Sequence, residues 1–471
     1  MTIDRWVTDT AAATPDKCAI EFGGERFSYA AMAEAIDRMV NELRERGVGH
    51  GDRVAWYGLN HPEVFILLFA CARIGAIFVP LNWRLAADEI RQIVADCEPS
   101  AIYCDETFED QARSLPLAQP TGDTATQAQT SDPLLIVYTS GSTGTPKGVV
   151  LAQDAVIANA KMSVDAHGLT PDDTVLNVLP TFHVGGLNIL PTPAFSIGAT
   201  VLLHPSFDPK AMLMDLERVQ TAITVPTVLS ALLAIPEWES ADLSNLRCLS
   251  IGSTDVPMDL IKAVHARGIP LLQIYGATET APFAIYQTYQ DAMQTEGSLG
   301  KKGLCDIRLV TPGGTDASTG EPGEIWVRGP NTLLEYWQDP DLSAKAIEDG
   351  WFKTGDVATC DAAGQYFFAD RIKHIIISGG ENIYPAEIER ILRTHPNIAE
   401  LSVVGIPDPK WGETPVVVAV KSGEVTQADL LAKLDGALAR YKHPKSVVFV
   451  DSLPRNAMGK VQSDRVKKLA T

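Results

Sequence analysis

The sequence predicts an α/β protein: a large N-terminal domain of parallel α/β sheets with an added β unit, then a small α+β C-terminal domain. Three observations predict it. Short apolar runs alternate with helical periodicities as far as about residue 300, the pattern of parallel strands covered by helices. Beyond that point, paired short strands around Gly-rich turns replace the alternation. The charge balance also changes, since residues 373–471 carry 14 Lys and Arg against 11 Asp and Glu in a chain of net charge −20. At 471 residues the chain exceeds one ordinary core, so at least two domains are expected. They are placed at 1–371 and 372–471.

In residues 27–47, Met32, Ala35, Ile36, Met39, Val40 and Leu43 recur at helical spacing, and Gly47 and Gly49 give a stop. Arg53–Tyr57 reads as a strand, Pro62–Ile74 as a second helix and 76–79 as a short buried strand. Residues 114–133 are polar and rich in Pro, Gly and Thr, a loop feeding a strand at 134–138. Strands at 307–310 and 324–327 form the β unit. Strands at 366–368 and 374–377 flank a turn holding Asp370 and Arg371. The last module reads as helix 385–393, strands 401–404 and 415–420, helix 427–441 and strand Ser446–Val450. No internal repeat is visible at any period.

Composition excludes several classes. With 45% hydrophobic, 21% charged and 7% aromatic residues, the chain is a globular protein rather than a disordered or fibrous one. The longest apolar run, 65–80, is broken by Arg73 and falls short of a bilayer span. The N-terminus has neither the basic nor the apolar region of an export signal, so a cytoplasmic protein is expected. Seven cysteines without a CxxC pair suit free thiols in a reducing compartment, and none is assigned to metal or catalysis. The acidic balance argues against nucleic acid as a partner.

The first chemical motif is Ile136-Val-Tyr-Thr-Ser-Gly-Ser-Thr-Gly-Thr-Pro-Lys-Gly-Val149, directly after a strand. Gly141, Gly144 and Gly148 let backbone amides approach an anion, and the hydroxyls of Thr139, Ser140, Ser142 and Thr143 can donate to phosphate oxygens. It is not a Walker A loop, because Lys147 precedes Gly148 and no hydroxyl follows it to hold magnesium. A Gly-rich loop alone is often only a connection. This string, however, closely resembles the signature of the adenylate-forming superfamily: acyl-CoA synthetases, firefly luciferase-type enzymes and peptide-synthetase adenylation domains.

That resemblance requires further motifs in order, and they follow. Pro180-Thr-Phe-His183-Val-Gly-Gly is similar to the family's segment beside the acyl pocket, which implies that His183 lines the site. A lone His is otherwise more often structural. Ile251-Gly-Ser-Thr254 resembles the adenine-contacting loop in part, implying nucleotide contacts from Gly252, Ser253 and Thr254. Tyr275-Gly-Ala-Thr-Glu-Thr280 is a close match to the nucleotide-holding motif. There an aromatic can stack on adenine beside Gly276 and Ala277, Thr278 can donate to the α-phosphate, and Glu279 can hold Mg²⁺ bridging the phosphates. A Glu between two threonines could equally sit on a surface turn.

Asp356, in Trp351-Phe-Lys-Thr-Gly-Asp356, matches the ribose-binding carboxylate, which can accept from both ribose hydroxyls. Phe368 joins the nucleotide set. Asp370-Arg371-Ile-Lys373 resembles the hinge string, with Arg371 expected near the ribose and Lys373 as pivot. In Ser378-Gly-Gly-Glu-Asn-Ile-Tyr-Pro385, Gly379 and Gly380 would admit the pantetheine arm of coenzyme A. Leu453-Pro-Arg-Asn-Ala-Met-Gly-Lys460 resembles the C-terminal catalytic loop, with Met458 departing from the usual small hydroxyl residue. The resemblance spans about residues 10–468 and implies ATP, Mg²⁺ and coenzyme A as co-reactants. It further implies a mobile C-terminal lid, with Lys460 the catalytic lysine. Residues 403–411 and Arg440-Tyr-Lys442 look like the family's acyl-CoA synthetases. Homodimers are the family's habit, which nothing in this sequence demonstrates.

The resemblance also locates the acid pocket, at Val184, Gly185, Gly186, Pro226 and Ala277. Residues 182–203 and 225–236 contain no Asp, Glu, Lys or Arg, so an ammonium or a second carboxylate would find no partner there. An apolar fatty or aryl monocarboxylic acid is expected. Two alternatives remain at this stage: a stand-alone adenylation enzyme that loads a carrier protein, and a non-catalytic acyl-nucleotide sensor.

Overall fold

The protein is described from a computed structural model that covers every residue except 141–145, 253–255, 379–380, 410 and 457–458. The chain divides into two compact units. One comprises residues 1–307 and 326–353, the other 308–325 and 354–471.

The larger unit holds two mostly parallel sheets. In the nine-stranded sheet, strands Thr174–Asn177, Thr200–Leu203, Thr221–Thr224, Cys248–Gly252 and Leu271–Tyr275 run parallel, joined on one side by Cys18–Phe22. Short antiparallel strands close both edges, the outermost being Glu25–Ser28 and the exposed pair Lys301–Lys302. In the six-stranded sheet, Arg53–Tyr57, Ile77–Leu81, Ala101–Cys104 and Pro133–Ser140 are parallel. Pro146–Ala152 then turns back antiparallel, and Glu335–Tyr336 pairs on its outer side.

Local sequence explains the covering helices. Ser28 caps helix Tyr29–Glu45 by accepting from the Ala31 amide at 3.1 Å, and the helix buries Met32, Ile36, Met39, Val40 and Leu43 on one face. Helix Pro62–Ile74 starts with proline at its first position and stops at Gly75, whose φ of +74° suits glycine. It is apolar nearly all round because it is buried among both sheets, with Phe65 and Phe69 packed on Phe195 at 5.3 and 5.6 Å. Each such ring contributes about 1.5–3 kcal/mol by burial.

In the smaller unit a core of Ile376, Ile383, Ile388, Leu392, Leu401 and Val417 lies under strands Ile376–Ser378, Ile398–Asp408 and Gly412–Lys421 and helix Pro385–Leu392. Ser446–Val450 adds a parallel strand. Two expectations change here. Asp370 and Arg371 do not form a turn: strand Tyr366–Arg371 keeps its pairing with Trp351–Cys360 to the end, placing Arg371 opposite Asp356. The helix expected at 427–441 stops at Ala432, giving way to short-range turns and to Gly436 at φ +76°.

Candidate active site

Strand Leu271–Tyr275 delivers the nucleotide motif. At its end Gly276 approaches the main chain so closely that a Cβ there would stand 1.6 Å from the Pro282 carbonyl oxygen, so only glycine fits. A single 3₁₀ turn, Thr278–Thr280, follows. Thr280 points inward and its hydroxyl accepts from the Ala277 amide at 2.9 Å, which leaves Thr278 and Glu279 half-buried and facing out. A buried set of amides fixes the next residues. Asn188 donates to the Ala281 carbonyl, Asn331 to the Phe283 carbonyl at 2.6 Å, and Asn159 accepts from the Phe283 amide. Buried asparagines carry no sequence signature, and the sequence reading missed all three.

The phosphate loop joins two strands whose register is set by Thr139 opposite Lys147 and Ser140 opposite Pro146. Gly141, Ser142, Thr143 and Gly144 lie outside the described residues. The supports are visible: the Tyr138 hydroxyl bonds the Asp96 carboxylate, and Trp337 donates from its ring to the Asp96 carbonyl at 3.1 Å and from its amide to Gly148 at 2.7 Å. Burial first, then the neighbouring acidic groups, push the Tyr138 pKa up, so its hydroxyl stays a donor.

On the acid side, Asn60 accepts from the Thr181 amide at 2.8 Å and donates to the Leu179 carbonyl, clamping the loop that presents His183. His183 is half-buried before helix Val184–Asn188, its ring 4.9 Å from Phe182. The glycines differ. A Cβ on Gly186 would lie 2.3 Å from the Pro180 carbonyl oxygen, so this residue serves loop packing, whereas Gly185 has free space out to Ile189 at 4.0 Å. Pro226 opens helix Pro226–Leu233, and Gly252 ends its strand against the Ile274 carbonyl. Ser253 and Thr254 lie outside the described residues.

The smaller unit carries the remaining polar set. Asp356 is buried, and Arg371 Nε lies 2.9 Å from its Oδ1. Phe368 sits half-buried in the same ladder, opposite Ala358. Lys373 and Lys460 join Arg371 in a cationic group that includes the Asp356 carboxylate, with Asp464 also acting on Lys373. Desolvation and then the Arg371 charge lower both lysine pKa values, while Asp356 opposes that shift. Lys460 remains exposed at the surface, so water screens part of this effect. Its loop is closed tightly: Asn456 Oδ1 accepts from the Lys460 amide at 3.0 Å and the Asn456 amide donates to the Lys460 carbonyl at 2.9 Å. Asp370, named only as part of the hinge string, proves to be a tether. It is buried and accepts from the amides of Arg371 and Ala386, tying the strand to helix Pro385–Leu392. Gly379 and Gly380 lie outside the described residues.

The donor set suits magnesium held with a triphosphate. Among the described residues no cluster of three or more metal-ligating side chains exists, while Glu279 offers a half-buried carboxylate beside Thr278. Mg²⁺ is commonly held by one or two carboxylates plus substrate phosphates rather than by an all-protein cage.

Comparison with known proteins agrees. The AMP-binding enzyme family matches residues 7–337, and the AMP-binding enzyme C-terminal domain matches residues 387–460. The chain is 45% identical to indoleacetate–CoA ligase of Aromatoleum aromaticum over 500 aligned positions, covering 100% of this chain and 98% of that one. It is 40% identical to feruloyl-CoA synthase of an Amycolatopsis species, covering 98% of each. O-succinylbenzoate coenzyme A synthetase of Bacillus subtilis, solved with ATP and magnesium ion, superposes with a TM-score of 0.87 at 30% identity, covering 98% of this chain and 99% of that one. Matched by the family over most of its length and by acid–CoA ligases from end to end, the chain belongs to the AMP-binding enzyme family and is an ATP-dependent, AMP-forming acid–thiol ligase.

Proposed function

We propose that this ligase activates an aryl-bearing monocarboxylic acid for transfer to coenzyme A, with Thr278, Glu279 and Lys460 serving the adenylation step. The absence of any charged side chain from 182–203 and 225–236 carries the reading: the segments that run from His183 and from Pro226 offer neither a partner for an ammonium nor one for a second carboxylate. The acids named for the three relatives reported above each contain an aromatic ring, which favours the aryl class over the fatty one. Gly185, next to the half-buried His183, has no neighbour closer than 4.0 Å to where a Cβ would stand, which supports open space at that point.

A carboxylate cannot acylate a thiol directly, because its leaving group is too poor. In the first step its oxygen attacks the α-phosphorus of ATP and pyrophosphate departs. The nucleophile is already ionised, so no general base is required. Two anions must meet, and positive charge fixed beforehand by Lys460 lowers that barrier. Mg²⁺ held through Glu279 would neutralise charge on the departing pyrophosphate. In the second step the thiol attacks the anhydride carbonyl and AMP leaves. Rotation of the C-terminal part about Lys373, exchanging Lys460 for the Gly379–Gly380 region, is part of the proposal. So is a cytoplasmic location. All seven cysteines are unpaired, which supports it, and among the described residues no helix is long and apolar enough to cross a membrane.

Pyrophosphate release tests the reading with alkanoic, branched, aryl and amino acids, each with and without coenzyme A. Aryl acids are expected to give the highest kcat/KM, with thioester formed from coenzyme A alone. A preference for straight-chain or amino acids, or a requirement for a carrier protein, would overturn it.

A further inference from the structure

Tyr336 appears in none of the motifs, yet it touches one of their central residues. It lies in strand Glu335–Tyr336, opposite Val149 of the strand that leaves the phosphate loop. Its hydroxyl stands 2.7 Å from Glu279 Oε1, and the residue is buried. The flanking chain grips the same places through main-chain bonds. The Leu333 amide donates to the Glu279 carbonyl at 2.8 Å, the Leu334 amide to Val150 at 2.9 Å and the Trp337 amide to Gly148 at 2.7 Å. Residues 333–337 therefore strap the phosphate-loop strand to the Thr278–Thr280 turn, and Tyr336 is the only described side chain hydrogen-bonded to the Glu279 carboxylate. A phenol carries its proton near neutral pH, and an ionised carboxylate can only accept. The bond then has one direction: tyrosine donates and Oε1 accepts. Among the described residues, Oε2 has no partner.

We propose that Tyr336 is the positioning residue for Glu279, holding one carboxylate oxygen so that the other is presented to the Mg²⁺ of bound MgATP. This rests on the reading of Glu279 as the metal ligand. Carboxylates that bind metals are commonly held by a second hydrogen bond of this kind, and removing the holder typically costs 10–100-fold in metal affinity or activity. The plainer role, in which the hydroxyl only satisfies a half-buried carboxylate, predicts a loss of stability with no selective effect on metal.

Tyr336→Phe keeps the ring and all three main-chain bonds, so the strap is retained. The test is Mn²⁺ binding to the ATP-loaded enzyme, read by the electron paramagnetic resonance signal of free Mn²⁺, for wild type, Tyr336→Phe and Glu279→Gln. Each is also assayed for thioester formation from supplied acyl-AMP, a step that bypasses pyrophosphate departure. The expected result is Mn²⁺ affinity weakened roughly 10–100-fold in Tyr336→Phe, with the thioester step unchanged. Normal Mn²⁺ affinity in Tyr336→Phe alongside weakened affinity in Glu279→Gln overturns the positioning role alone. Normal affinity in Glu279→Gln overturns the ligand reading and the inference with it. A loss in the thioester step of Tyr336→Phe as large as its loss of Mn²⁺ affinity would assign the hydroxyl to the fold and overturn the inference as well.

Discussion

Arg371 faces Asp356 across an antiparallel ladder, its Nε 2.9 Å from a carboxylate oxygen that is otherwise buried. The pair fixes a carboxylate suited to two ribose hydroxyls at the foot of the segment that leads to Lys373. It also places a permanent positive charge among those that act on Lys460.

Because Arg371 disfavours the Lys460 ammonium, Arg371→Met should raise the Lys460 pKa toward its ordinary value. The sign is the same through Asp356, which loses its partner and attracts the lysine more. The alkaline fall in adenylation kcat/KM should therefore move to higher pH in the variant. A limb that moves to lower pH, in a pH profile of pyrophosphate release, would refute the coupling.

In the proposed mechanism, Lys460→Ala removes the charge that meets the carboxylate and the α-phosphate. Adenylation should fall by at least about 100-fold, the scale of losing one preorganised electrostatic contact, while thioester formation from supplied acyl-AMP persists. Stopped-flow comparison of the two half-reactions checks this, and equal losses would sink the assignment.

Lys373 sits in the 3₁₀ turn Ile372–His374, directly after Arg371. Proline there fixes φ. Lys373→Pro should leave pyrophosphate release from acid and ATP close to wild type while slowing overall thioester production more than tenfold, about 1.4 kcal/mol in the barrier. Unchanged overall turnover would show that no rotation about this residue is needed.

His167 offers a stability test remote from the chemistry. Burial lowers its pKa from 6.5 to about 4, so the folded protein holds it neutral. As pH falls from 6.5 towards 4 the unfolded chain takes up a proton that the native chain refuses, and stability is lost across that window. The limit is about 3 kcal/mol for a shift of this size. Urea unfolding at several pH values should show a flatter pH dependence for His167→Gln than for wild type, and parallel curves would refute the buried neutral state.

Much of this was legible in the sequence because the chemistry is carried by short strings. Pro62–Ile74 could be bounded from its proline and the following Gly75, and the nucleotide motif from consecutive residues. What could not be read depends on partners far away in the chain. Tyr336 and Glu279 are 57 positions apart, and Asn60 and Thr181 are 121 apart. The sequence places Asp370 and Arg371 in a turn between strands at 366–368 and 374–377, but ladder pairing with Val357 and Asp356 carries the first strand through both residues. The overlong helix at 427–441 failed for a related reason: its apolar spacing continues past Gly436, whose left-handed backbone does not.

The outer edge of the nine-stranded sheet bears on behaviour in concentrated solution. It ends in Lys301–Lys302, two residues long with both side chains exposed. A second chain laid along it would find few free main-chain groups and two like charges. Short, lysine-bearing edges discourage strand-to-strand recruitment. Sheet extension between copies is therefore disfavoured at this edge, and misassembly into fibrils has no ready template along it.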